Sequence, residues 1–237
     1  MKWTREETLL ALRLYLETPF GQQHKSHPPI IKLAQRIGRT PGSVGMKLCN
    51  FTSLDPIEAE RGVKGLNKAS KLQKEIWVEY QERPTEIILE AEALEASRED
   101  GAFKAHDEEG TEMWTQAKVR LGQKFFRRGV LASYGNQCCI SGNPINAVLR
   151  AGHIIPWAKS EENRLNLRNG ICLEATYDAA FDAGIIAVDT DYKIKVSPRI
   201  QVYSGEAEVA RRFLALEGTK IKLPSKNIPD KALRIGT

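Results

Sequence analysis

His153 stands in the stretch AGHIIPWAKS, and the residues that could work with it follow in order. Sixteen positions on is Asn169, nine beyond that is Asp178, and four more bring Asp182. An imidazole titrates near neutrality, so it can take a proton from water as a general base. Ionised carboxylates are good ligands for hard cations. A spacing of four puts Asp178 and Asp182 on one face of a helix, one turn apart. Each residue also has a plainer reading. His153 could be a core histidine with its hydrogen bonds satisfied, and Asp182 could serve an ion pair or a helix end.

These residues must be carried by particular elements. The stretch AVLRAGHIIPW reads as an apolar strand ending near His153, and LNLRNGICLEATYDAAFDAG as a loop entering a helix that stops at Gly184. Upstream, QAKVRLGQKFFRRGVLASYG reads as a helix with Phe126, Val130 and Leu131 on its apolar side. CCISGNP reads as a strand end and a turn. GIIAVDTDYKIKVS is a β-hairpin turning at Asp189–Asp191, and GEAEVARRFLALEG is a helix closed by Gly218. Strands and helices in this order make the C-terminal part α+β.

The N-terminal part reads as all helix. WTREETLLALRLYLE places Leu9, Leu12 and Leu16 on one face, with Thr4 as N-cap and Glu7 completing a capping box. IIKLAQRIG is a second helix closed by Gly38, and Thr40-Pro41 opens a third. A helix, a glycine turn and a helix form a helix-turn-helix candidate. We therefore expect a helical domain over 1–56, an acidic helical connector over 57–114 broken at Pro84, and an α+β domain over 115–237. His24, His27 and His106 fall in loops and are read as solvent-exposed.

The charge distribution follows the same division. The chain of 237 residues carries net charge +5. Residues 1–50 hold eight Lys/Arg against three Glu, 57–112 hold eight against fifteen acidic residues, and 113–237 hold nineteen against eleven. Two basic blocks around an acidic one suggest two modules that face a polyanion. No apolar run approaches a membrane span, and the opening MKWTREETLL lacks the apolar core of a signal peptide, so a cytoplasmic address is expected. Cys49, Cys138, Cys139 and Cys172 include no C-x-x-C pair, which argues against a disulfide framework or a four-cysteine zinc site.

Two resemblances sharpen these readings. WTREE followed by LAQRIGRTPGSV resembles the Myb/SANT-type three-helix domains over about 50 residues, with ETPFGQQHKSHPP as an inserted loop. That resemblance implies DNA contact through the helix after GRTP, where Arg39, Ser43 and Lys47 stand; protein interaction is the alternative use of such a domain. Over roughly residues 118–190 the chain resembles the HNH, or ββα-metal, endonucleases of bacterial restriction systems. The elements Arg-x-Gly-Gln, Cys-x-x-Ser-Gly, His-Ile-x-Pro-Trp, Asn-Gly and Phe-Asp-x-Gly all stand here in order.

The HNH resemblance implies roles. His153 activates water, Asn169 braces the loop that fixes the histidine, and Asp178, with Asp182 as a second ligand, holds a divalent cation, Mg²⁺ or Mn²⁺. Arg150, Arg164 and Arg168 flank that site as phosphate clamps. The sequence departs from the family in two places. Gly152 stands where many relatives carry a ligand before the base, and Tyr177–Asp178 occupy the place of a third histidine. The function implied is a metal-dependent DNA endonuclease of restriction or phage-defence type, leaving 5′-phosphate and 3′-hydroxyl ends. Cutting both strands with one small active site suggests a homodimer. The alternatives are a non-catalytic DNA-binding protein on the same scaffold and an RNA nuclease.

Overall fold

Thr4 and Glu7 close the expected capping box, and α1 (Arg5–Glu17) starts there. The computed structural model describes residues 2–100 and 112–231, so residues 101–111 of the expected acidic connector, with His106, lie outside the described residues. Two units result, residues 1–125 and 126–237.

In the first unit α1 is the central element: every residue from Thr8 to Glu17 is buried. Around it pack α2 (Pro28–Arg36), α3 (Pro41–Thr52), α5 (Lys71–Glu82) and α6 (Pro84–Asp100), while the short α4 (Pro56–Glu60) follows α3. Thr40 caps α3 through Ser43 N–H, with Pro41 in the first turn. Pro84 does divide two helices, and it does so by opening the second. Tyr15, Phe51 and Trp77, from three helices, form an aromatic cluster with centroids 5.6 to 6.1 Å apart.

The acidic stretch does not stand off as a solvated connector. Arg13 Nε lies 2.8 Å from Glu92 Oε1, its Nη2 lies 3.3 Å from Glu95, and Arg36 also pairs with Glu95. Arg5 pairs with Glu79 and Glu90. Buried charges need partners, and α5 and α6 bring the carboxylates that the arginines of α1 and α2 require.

The second unit holds the end of α7 (Glu112–Ser133), then β1 (Leu149–His153), β2 (Gly170–Glu174), α8 (Ala175–Asp182), the hairpin β3 (Ile186–Val188) and β4 (Ile194–Val196), and α9 (Ala207–Arg212). Strands β1 and β2 pair antiparallel, with His153 opposite Gly170 and Gly152 opposite Ile171. CCISGNP forms a turn rather than a strand end, closed by Gly142 N–H to Cys138 O. A strand not expected from the sequence is Gly170–Glu174, within the stretch read as a loop entering a helix. Its pairing partner lies across the 154–169 loop, so no local pattern announced it. Cys138, Cys139 and Cys172 are buried free thiols. Arg199 donates to the carbonyls of Ala183 and Gly184 at the end of α8, where Gly184 takes φ +64°.

Candidate active site

β1 delivers His153 at its last position. The ring lies flat on Phe126 of α7, with centroids 3.7 Å apart and planes 7° from parallel, and Trp157 meets it edge-on at 5.6 Å. Its Nε2 is 3.1 Å from the backbone oxygen of Arg164. A carbonyl oxygen only accepts, so Nε2 carries the proton and Nδ1 is left as the basic nitrogen. Burial lowers the imidazole pKa, partly opposed by that hydrogen bond and by the charge of Asp182. A neutral ring whose Nδ1 makes no hydrogen bond among the described residues is the form a general base requires.

Asn169 is fully buried and acts as the brace of the 154–169 loop. Its Oδ1 accepts from Ile155 N–H at 2.7 Å, and its Nδ2 donates to Ile155 O and Asn163 O, both at 3.0 Å. Its backbone oxygen accepts from Ile154 N–H. One side chain thus ties both ends of the loop whose Arg164 carbonyl meets His153. The following Gly170 is required by packing. A Cβ there would lie 2.3 Å from Val130 Cγ2 and 2.9 Å from Phe126 Cζ, so the glycine lets β2 approach the ring that supports His153.

Gly152 and Asp178 face each other. Side chains alternate along a strand, so position 152 points away from the side His153 takes. A Cβ built on Gly152 would lie 2.9 Å from Asp178 Oδ1. Burial first, then the charge of Asp182, raise the Asp178 pKa, and Arg150 opposes them. Asp182, one turn along α8, is exposed. A half-buried carboxylate whose ionisation is opposed by burial and by a second carboxylate one turn away suits a hard divalent cation. Among the described residues no group of three or more His, Cys, Asp or Glu side chains is arranged to hold a metal. Asp178 and Asp182 would therefore leave most positions to water and phosphate oxygens, as small hard cations prefer.

The other expected contacts have mixed surroundings. Arg150 is exposed and donates to the carbonyls of Ala147 and Leu149. Arg164 Nε donates to Trp157 O at 3.0 Å, its guanidinium lies over the Trp157 ring, and it pairs with Glu161. Arg168 donates to Ile228 O and pairs with Asp230. In the helical unit Arg39 pairs with Glu7 and lies over the Trp3 ring. Lys47 is buried over the same ring, with its pKa lowered by burial. Ser43 is half-buried on α3. With Arg5, Arg13, Arg36 and Arg39 all ion-paired, much of the N-terminal basic block is neutralised within its own unit. Tyr177, next to Asp178 on α8, is buried edge-on to Phe213.

Three contributors escaped the sequence: Phe126 as the platform of the imidazole, the Arg164 carbonyl as its acceptor, and Asn163 as the far anchor of Asn169. Phe126 carried a signal only as an apolar helix position, and a backbone carbonyl carries none. No helix among the described residues is long and apolar enough to cross a membrane. No curated protein and no solved structure matches the chain. Residues 138–189, which include His153, Asn169, Asp178 and Asp182, match the HNH endonuclease family, and the match suggests a nuclease, of a kind that is generally metal-dependent.

Proposed function

We propose that this protein is a metal-dependent DNA endonuclease of restriction or phage-defence type, with His153 as general base. The observation that carries the reading is the state of His153: Nε2 engaged by a carbonyl, the ring held on Phe126, and burial favouring the neutral form. His153 Nδ1 takes a proton from water, and the water oxygen attacks phosphorus. The bond to the leaving 3′-oxygen breaks, and that oxygen acquires a proton from solvent, giving 5′-phosphate and 3′-hydroxyl ends. Asn169 keeps the loop and its carbonyl in place while this happens. Asp178 and Asp182 would hold the divalent cation, which supplies charge stabilisation at the scissile phosphate.

The reading of the substrate as bacterial-defence DNA rests on the ordered sequence blocks from Arg120 to Gly184. A non-catalytic DNA-binding role is favoured by the two departures from the family pattern, Gly152 before the base and Tyr177–Asp178 in the place of a third histidine. The test is incubation of purified protein with modified and unmodified plasmid DNA and each of Mg²⁺, Mn²⁺ and Ni²⁺. Metal-dependent nicking or cutting that is lost in His153→Ala is the expected result. Binding without cleavage under every condition favours the non-catalytic reading.

A further inference from the structure

Arg127 of α7 and Arg150 of β1 converge on one atom. Arg127 Nη1 and Arg150 Nη1 each lie 2.8 Å from the backbone oxygen of Leu149. The two guanidinium groups therefore stand within twice that distance of each other. Arg127 Nη2 also donates to Asn146 O, and Arg150 Nη1 to Ala147 O. Among the described residues neither arginine forms a salt bridge. In the same unit Arg164, Arg168, Arg211 and Arg212 each lie against a carboxylate. Two like charges this close repel, and the carboxylate that acts on Arg150 is Asp178, at longer range.

The strand fixes where this charge lies. Arg150 and Gly152 are two positions apart, so their side chains leave the ribbon on the same face. That face is the one on which Asp178 meets Gly152. Arg150 is exposed and its Nε and Nη2 make no hydrogen bond among the described residues, so donors remain for an incoming anion. The helical unit neutralises its own arginines, which leaves this pair as a cationic feature beside the proposed centre.

We infer that Arg127 and Arg150 form a two-arginine seat for a backbone phosphate of the DNA strand held at Asp178. The inference rests on the nuclease reading of this unit and adds to it a phosphate contact, Arg127, in a role that only the tertiary structure brings into view. The carbonyl of Leu149 aligns the pair before the strand arrives, so little ordering is needed on binding.

Binding of the full-length protein to a short DNA duplex in EDTA, over a salt series, separates this seat from catalysis. Arg150→Gln and Arg127→Gln should each weaken binding about tenfold and reduce the slope of log K against log salt by about one. Arg127→Lys, which keeps the charge while losing the fork, should restore the slope. Arg83→Gln, which removes one exposed charge from the helical unit, serves as the control and should leave both quantities unchanged. Arg150 is exposed, so its variant tests the seat even where Arg127→Gln impairs folding. Unchanged affinity and slope in folded Arg150→Gln would overturn the seat and leave the nuclease reading standing. Absence of DNA binding by the parent protein would overturn both.

Discussion

The imidazole of His153 and the backbone carbonyl of Arg164, 3.1 Å apart, decide which nitrogen can act as a base. The carbonyl is aimed from within its own residue's neighbourhood, because the Arg164 side chain lies over Trp157 and donates to its backbone oxygen. The arginine expected to clamp phosphate thus holds the loop that presents the acceptor.

This geometry predicts a pH profile. Burial holds the His153 pKa below its ordinary 6.5, so the neutral base persists into mildly acidic solution. Cleavage should be level near neutrality and fall on the acid side, below the ordinary histidine midpoint. The sign for stability is the same: protonation is harder in the folded chain, so the contribution is present above 6.5 and is lost as pH falls through the folded value. His153→Ala should lower the rate by ~10²–10⁴-fold while leaving the fold intact. Full cleavage by a rigorously purified His153→Ala protein would falsify the assignment. Nitrogen NMR of the ring should report the Nε2–H tautomer in the metal-free protein.

Asn169→Ala should cost more than one hydrogen bond. It removes the acceptor for Ile155 N–H and the donor to two carbonyls, all in a buried place. Leaving such groups unsatisfied costs about 1–3 kcal/mol each at most. Asn169→Asp keeps the acceptor and sets a carboxylate against Ile155 O and Asn163 O, so it should be no better tolerated. Thermal melts and cleavage assays check both, and loss of activity without loss of stability in either variant would contradict a bracing role.

Metal affinity should weaken as pH falls, and at a higher pH than an ordinary aspartate would give. The Asp178 pKa is raised, so protons compete with the cation over a range above the usual carboxylate midpoint of 3.8. Asp178→Asn should abolish metal-dependent cleavage, and Asp182→Asn should weaken it. Gly152→Ala puts a methyl group against Asp178 Oδ1 and should lower metal affinity by displacing the carboxylate. The same crowding meets Gly152→Asp, so restoring the side chain common in relatives also requires Asp178 to move. Calorimetric titration of these variants with Mg²⁺ and Mn²⁺ decides the ligand assignment, and parent-like affinity in Asp178→Asn would remove it.

Gly170→Ala should destabilise the second unit by about 1–3 kcal/mol, as overpacking does. The added methyl would press on Val130 and on Phe126, the ring beneath His153. Cleavage should therefore fall further than the loss of stability explains, measured at a temperature where the variant is folded.

Arg13→Ala should destabilise the helical unit by about 3–5 kcal/mol, because Glu92 and Glu95 would lose a buried partner. Chemical denaturation measures it, and a change below about 1 kcal/mol would show that the pair is not a buried one in solution. The same packing bears on truncation. Cutting after residue 56 removes α1, the element on which α5 and α6 pack, so the helical unit is best isolated whole.

What the sequence determined by itself was local or ordered along the chain. The capping box of Thr4 and Glu7, the Thr40-Pro41 helix entry and the hairpin at Asp189–Asp191 each depend on partners a few residues away, so their signals are complete within a short window. The order of His153, Asn169, Asp178 and Asp182 was equally legible, since it needs only spacing. The tertiary structure decided what no window contains. Strand β2 is a strand because β1 lies beside it across the 154–169 loop. The tautomer of His153 is set by a carbonyl, a group every residue carries and no sequence distinguishes. Arg13 and Arg36 of the basic N-terminal block face inward because they find Glu92 and Glu95, which are distant in the chain. Net charge can be summed from composition, but whether a charge meets solvent, a phosphate or a buried carboxylate depends on which helices pack together.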